Sequence, residues 1–95
     1  MQIDYIVCPD TIEAKLLSKH NISATEARQF LLNKPRFRFA EKGYTADEDV
    51  YAAFGQTFDG RYLSVFFAYK PGTQAAIIIS ARDMSKKERK SYGRK

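Results

Sequence analysis

His20 is the only histidine in these 95 residues, and its side chain is the one whose ordinary pKa lies near neutrality. That makes it the natural group for moving a proton. The competing role is that of a histidine at a helix C-terminus, where it complements the dipole. Two arginines stand where fixed backbone would carry them, Arg61 directly after a hairpin turn and Arg82 directly after an apolar strand. A guanidinium offers a planar fork of donors suited to phosphate oxygens and keeps its charge at working pH. Either arginine could instead pair with Asp59 or Asp83, and exposed pairs of that kind contribute only about 0 to 1 kcal/mol. Further along, Lys86, Arg89 and Tyr92 recur every three residues, which sets them on one helix face. A cation and a phenol so placed could grip a phosphate and stack on a base, as proteins do on single-stranded RNA. Tyr92 could equally be the anchor of that helix on a sheet. Lys19, beside His20, points elsewhere on its helix and is either a phosphate contact or a solvated charge.

Charge sharpens this picture. Lysine and arginine number 16 against 11 aspartates and glutamates, and residues 82–95 hold 7 of the bases and 2 of the acids, so the net charge of +5 belongs to these last 14 residues. A basic end suggests a polyanionic partner, either nucleic acid or an acidic protein, against the alternative of simple solubility. The single cysteine, Cys8, cannot form an intrachain disulfide, and with one histidine no Cys/His zinc site can be assembled. The acids are scattered rather than clustered, so neither a metal nor another cofactor is expected. No apolar run approaches the roughly 20 residues of a membrane-spanning helix, and the N-terminus lacks the basic and apolar regions of a signal peptide. A cytoplasmic location without membrane attachment is the expectation.

The elements that must position these residues follow from periodicity and punctuation. Ile3, Tyr5 and Val7 alternate with polar and apolar neighbours, as in a short strand buried on one face. Asp10 and Glu13 form a D-x-x-E capping pattern for a helix from about Thr11 to Lys19 or His20, with Ile12, Leu16 and Leu17 as its apolar stripe and Asn21 as its stop. Ser23 and Glu26 form a second capping box, ahead of a helix over Ala24 to Leu32 that ends before Pro35. Two short helices so closely joined should pack as a hairpin against a sheet.

From Arg36 the period becomes two, with Phe37 and Phe39 turned inward and Arg36 and Arg38 outward. An acidic loop over Glu41 to Asp49 leads to a strand over Val50 to Thr57. The Asp59-Gly60 signal turns it into a partner strand, Tyr62 to Tyr69, and Lys70-Pro71-Gly72-Thr73 turns that into Gln74 to Ser80. Val65, Phe66, Phe67 and Ile77 to Ile79 should form the buried centre of this meander. Ser85 with Glu88 makes a third capping box for a last helix that is poor in apolar residues, and whose docking should therefore be weak. The order β-α-α-β-β-β-β-α implies one domain over residues 1–95 with an α+β fold: a helical hairpin on a small antiparallel sheet, followed by a basic C-terminal helix.

Three blocks of sequence carry a resemblance. Glu13-Ala14-Lys15 followed by Lys19-His20-Asn21-Ile22-Ser23 and Glu26-Ala27 resembles the E-A-K…K-H-G-V-S…E-A opening of the BrnT toxins. Asp59-Gly60-Arg61-Tyr62-Leu63 resembles their D-G-R-x-L hairpin. Ile78-Ile79-Ser80-Ala81-Arg82 with Lys86 to Tyr92 resembles their I-I-S-A-R…K-x-E-R-x-x-Y close. The blocks occur in family order across nearly the whole chain. The pattern departs at Cys8-Pro9-Asp10, where the family carries a Trp before the Asp, and at Asn21, where Gly is common.

The resemblance implies a toxin of a type II toxin-antitoxin system with a RelE/ParE-like fold, acting as a metal-independent ribonuclease that inhibits translation. It implies as partner a BrnA-like, DNA-binding antitoxin. Cleavage of RNA without a metal requires deprotonation of the 2′-hydroxyl, stabilisation of the phosphorane charge and protonation of the leaving 5′-oxygen. On that reading Arg61, Arg82 and Arg89 stabilise phosphate charge, His20 and Tyr92 are candidates for proton transfer or positioning, and Lys19, Lys86 and Lys90 contact RNA. The alternative is a non-catalytic module of the same fold whose basic end binds an acidic protein or nucleic acid. A DNA-binding repressor fits less well, because the helix over Ala24 to Leu32 carries only Arg28 as a cation.

Overall fold

The computed structural model describes residues 1–43 and 48–93, so part of the expected acidic loop lies outside the described residues. Its elements are β1 (Tyr5–Val7), α1 (Asp10–His20), α2 (Ala24–Leu32), β2 (Arg36–Glu41), β3 (Val50–Gln56), β4 (Tyr62–Lys70), β5 (Ala75–Asp83) and α3 (Lys86–Gly93). The five strands form one sheet in the order β1-β5-β4-β3-β2. The β2 to β5 run is antiparallel, as expected, but β1 joins β5 in parallel, so the sheet is mixed rather than antiparallel. The long path through α1 and α2 to β4 is what lets β1 return alongside β5 in the same direction. This pairing also corrects the inward face of β1. Ile6 lies beside the fully buried Ala76 and packs on the core, whereas Tyr5 and Val7 are exposed.

Both helix ends near the site are closed by local chemistry. Asn21 adopts the left-handed conformation, with φ of 53°, and stops α1 while turning Ile22 into the core, where it is fully buried. Ser23 Oγ accepts the N–H of Glu26 at 3.0 Å and caps α2. The expected cap at Asp10 does not form. Asp10 is already helical, Pro9 is the N-cap, and the Pro9 carbonyl accepts the N–H of Glu13 at 2.9 Å. An acid in the first turn still favours the positive end of the helix.

The core lies between the sheet and the first two helices: α1 lies over β5 and α2 over β3. Leu16, Ile22, Ala27, Phe30, Leu63, Val65, Phe67, Ile78 and Ala81 are its main members. Ile78 and Ala81 are both fully buried although three residues apart, which a regular strand forbids. A bulge resolves it: Phe66 pairs with Ser80 but Phe67 with Ile78, leaving Ile79 as an extra residue on β5. That one residue sets the phase of everything after it. Without it Arg82 would face the helices; with it, Arg82 shares the opposite face with Ser64, its register partner.

The opposite face carries α3. Ser64, Phe54 and Arg36 lie in one row with Arg82, and Phe66, Ala52 and Arg38 in the next. Phe66 therefore leaves the core and lies under the Arg82 guanidinium, 5.4 Å from ring centroid to Cζ. Phe39 points inward as its period requires, but β2 is the edge strand. It packs edge-on against Tyr51 and stays 53% exposed. No helix among the described residues is long and apolar enough to cross a membrane.

Candidate nucleic-acid interface

The residues singled out by their chemistry divide between the two faces at one end of the sheet, where β4 begins and β5 finishes. On the α1–α2 face the centre is Arg61. It follows a turn in which the Gly60 N–H donates to the Thr57 carbonyl at 3.0 Å and Gly60 takes φ of 88°, open to glycine without strain. The Thr57 hydroxyl accepts the Arg61 N–H at 3.0 Å, fixing its backbone.

The Arg61 guanidinium then forks. Nε donates to Asp83 Oδ1 at 2.8 Å and Nη2 to Oδ2 at 3.2 Å. Nη2 also donates to the His20 carbonyl at 2.7 Å, Nη1 donates to the Asn21 carbonyl at 2.8 Å, and Glu26 lies 3.6 Å from Nη1. These carbonyls belong to the end of α1 and its cap, where helix geometry leaves acceptors without partners. Arg61 is thus a staple that joins α1 to the sheet. Its partner among the two acids considered from sequence is Asp83, not Asp59.

The charge pair is mutual. The hydrogen bond from Arg61 holds the Asp83 carboxyl below its usual range, helped by the guanidinium charge and, more weakly, by His20 nearby. The same bond keeps the Arg61 pKa above its ordinary value. His20 is half-buried, its backbone is held by the staple, and its imidazole makes no hydrogen bond with the described residues. Lys19 beside it is exposed.

On the α3 face the centre is Arg82. It lies within β5, which continues three residues past the expected end at Ser80. Its Nη1 and Nη2 meet the two oxygens of Glu88 at 2.6 and 2.7 Å, a bidentate pair. Glu88 Oε1 also accepts the Ser64 hydroxyl at 3.1 Å and the Ser85 N–H at 2.9 Å, while Ser85 Oγ accepts the Glu88 N–H at 3.1 Å. The third capping box is therefore complete, and its acid does double service. Arg82 and these other donors hold the Glu88 carboxyl well below its usual range, at about 2.

The remaining candidates on α3 surround Tyr62. The Arg89 guanidinium lies over its ring at 4.0 Å from the centroid, and the Tyr92 ring meets it edge-on at 6.2 Å. Arg89 has no carboxylate partner among the described residues. Tyr92 is half-buried, and Lys86 and Lys90 are exposed. The anchoring role for Tyr92 is thus realised in the contact with Tyr62, and its hydroxyl makes no hydrogen bond with the described residues.

Sequence reasoning passed over five participants. Asp83 and Glu88 were seen as alternative partners or caps, and Tyr62 only as the start of a strand. Arg36 and Arg38 were placed on the outer face, yet that face is the one α3 covers. A cleft of about 350 Å³ lies there, bounded by Arg36, Phe37, Arg38, Phe54, Glu88, Ser91 and Tyr92. The alternation of the β2 residues was the available signal; the missing fact was which face α3 would choose. At the N-terminal side, Cys8 is buried in the core cluster. Burial, seconded by the charge of Glu13, pushes its thiol pKa up. Among the described residues no three of His, Cys, Asp or Glu gather in a way that could hold a metal ion.

Comparison with known proteins agrees with the three sequence blocks. No curated protein sequence matches the chain. The fold is similar to that in the 1.1 Å crystal structure of the Brucella abortus ribonuclease toxin, BrnT, with a TM-score of 0.61 and 20% identity, covering 86% of this chain and 97% of that one. The model of the family described as ribonuclease toxin, BrnT, of type II toxin-antitoxin system matches residues 11–88, a span that holds Arg61, Arg82 and both carboxylates that pair with them. With most of its length inside that match, the chain belongs to the BrnT family of ribonuclease toxins.

Proposed function

We propose that the chain is a metal-independent endoribonuclease toxin, on a RelE/ParE-like scaffold with α1 and α2 as a helical hairpin. In this reading it inhibits translation by cleaving RNA in the cytoplasm and is neutralised by a DNA-binding, BrnA-like antitoxin. One observation carries the proposal: at a single end of the sheet, a backbone-anchored imidazole and two sets of guanidinium groups flank the strand ends where β4 and β5 meet. A phosphate of single-stranded RNA drawn to that end meets a group that can move protons and groups that stabilise added negative charge.

The roles divide according to how each side chain is held. His20 transfers a proton, and Arg61 with Asp83 positions it by fixing the end of α1. Arg89, with no carboxylate to satisfy, stabilises phosphate charge directly. Arg82 does so when a phosphate oxygen replaces a Glu88 oxygen on its fork. Tyr92 positions a base or donates to a phosphate oxygen, and Lys19, Lys86 and Lys90 draw the RNA in. The test is cleavage of a labelled RNA in excess EDTA, run beside the same RNA with a 2′-deoxy residue at the scissile position. Cleavage of the first and none of the second is expected; cleavage of the deoxy substrate would overturn the mechanism.

A second reading is favoured by the closed pairs themselves. Arg61 and Arg82 both have their forks filled by carboxylates, which suits a module that binds without turnover. Expression in a growing culture separates the two. Growth arrest that His20→Ala and Arg89→Ala each relieve supports the nuclease, whereas binding of RNA with no arrest supports the module.

A further inference from the structure

The cleft on the α3 face borders Tyr92 and Glu88 of the reading above, but its Arg36, Arg38 and Phe54 have no role in that reading. It lies between the β2–β3 edge of the sheet and the C-terminal part of α3, and at about 350 Å³ it is at the small end of the roughly 300 to 1,000 Å³ range of ligand pockets. The register explains its lining. Arg36 pairs with Phe54 and Arg38 with Ala52, so both guanidinium stems and the Phe54 ring leave the sheet on the same side, and Ala52 is too small to fill the space beside them.

Its charges are laid out unevenly. Arg38 makes no hydrogen bond or ion pair with the described residues, and Arg36 donates only to the Tyr92 carbonyl at 3.3 Å. Among the described residues neither has a carboxylate to neutralise it, in contrast to Arg61 and Arg82. The opposite wall is Glu88, whose oxygens are already taken by Arg82, Ser64 and Ser85. An anion is therefore attracted more strongly at the β2 end, where two guanidinium groups meet no carboxylate of the described residues, than at the Glu88 end, where the charges are already paired. Between them lie two aromatic side chains, Phe54 and Tyr92.

We propose that this cleft is a nucleotide subsite, in which Arg36 and Arg38 hold a phosphate of single-stranded RNA and Phe54 and Tyr92 hold the attached base. The proposal rests on the ribonuclease reading and adds to it the path of the RNA, which runs from the Arg82–Arg89 centre across β4 and β3 to the β2 edge. The asymmetry fixes the direction of the nucleotide, phosphate outward and base toward Glu88. An acidic protein segment would use the two arginines but not the aromatic rings, so the rings decide for a nucleotide.

The test is fluorescence anisotropy with a labelled, fully 2′-O-methylated RNA oligonucleotide, which cannot be cleaved by 2′-hydroxyl attack. Arg38→Gln, the double variant Arg36→Gln/Arg38→Gln, Phe54→Ala and Phe54→Leu are compared with the unaltered chain, after thermal melts establish that each is folded. The double variant should bind at least about 10-fold more weakly, and the slope of log affinity against log salt should fall by about 0.7 for the lost phosphate contact. Both Phe54 variants should lose about 10-fold with the slope unchanged, since stacking releases no counterions. Phe54→Leu keeps the apolar volume, so its loss isolates the ring. Affinities equal to the unaltered chain's across the series overturn the subsite and leave the ribonuclease reading standing. Weakened binding in the variants with no cleavage of unmodified RNA keeps the subsite and removes the ribonuclease. Equal displacement of the oligonucleotide by a poly-glutamate peptide of the same charge, with Phe54→Leu unaffected, overturns the subsite in favour of an acidic protein partner.

Discussion

On the α1–α2 face, Leu16, Ile22, Ala27 and Phe30 come down on Val65, Phe67 and Ile78, and all seven are essentially removed from solvent. On the α3 face no residue of the helix is buried, and the helix is held by a carboxylate fork, a cation over a ring and an edge-on tyrosine pair. Burial of each large apolar side chain contributes about 1.5 to 3 kcal/mol and has no exchangeable partner. A charged hydrogen bond contributes a comparable amount, about 1.5 to 3 kcal/mol, but water or a ligand oxygen can take its partner's place. One face is therefore built to stay shut, the other to trade contacts.

The contrast can be broken most directly in the core. Phe67 stacks near Tyr51 and meets Phe37 edge-on, fully buried. Phe67→Ala should cost about 3 to 5 kcal/mol in chemical denaturation, against under about 1 kcal/mol for Tyr92→Ala. Equal costs would show that α3 is as firmly packed as the other helices. Glu88→Gln comes next, at about 1 to 3 kcal/mol, because it leaves Arg82 facing a neutral amide; hydrogen exchange of the α3 amides should quicken more than that of α1.

Acid tests the same residue without mutation. The Glu88 carboxyl is lowered from 4.5 to about 2 in the folded chain, so its stabilisation is complete above the higher value and fades as pH falls toward the lower one. The Tyr62 and Tyr92 ring signals in NMR should follow that fall, and in Glu88→Gln they should not. Asp83→Asn should cost less, about 0 to 1 kcal/mol, since the Asp83 side chain is 63% exposed. It should nevertheless move the His20 ring signals, as a positioning role requires. The smallest effect, under about 0.5 kcal/mol, belongs to Arg38→Gln, which touches no hydrogen bond among the described residues.

What could be read beforehand follows the range of the interaction. The Ser23 and Ser85 caps, the Asn21 stop and the Asp59-Gly60 turn are set by residues within a few positions of one another, and all form. Apart from the Asp10 cap, which lost its place to Pro9, the failures lie where a partner is remote or a single residue shifts the phase. Phe39 has the right period but sits on an edge, and Phe66 falls on the outer face because β4 alternates regularly, with Val65 and Phe67 on either side of it turned to the core. The parallel return of β1 depends on β5, far along the chain.

The candidate site shows the same division. Residue types pointed to Arg61, Arg82, Arg89, His20 and Tyr92, and family spacing tied them together. Neither could say that Arg61 grips the end of α1 or that Glu88 serves Arg82, because such partners are found only when strands are in register. Nor could they say that the five divide between two faces. Arg36 and Arg38 were visible as an alternation, but the helix that makes a cleft of them is more than forty residues away.

The parallel pairing of β1 with β5 has a consequence in time. Tyr5 finds its register partner in Ala75, seventy positions later, and His20 finds its staple in Arg61 and Asp83. Loop closure over such lengths is slow to nucleate and comes after local turns and hairpins have formed. Chains leave the ribosome N-terminus first. The strand β1 thus cannot be seated before β5 is made, and a nascent chain that has not reached Asp83 has neither its full five-stranded sheet nor an anchored histidine.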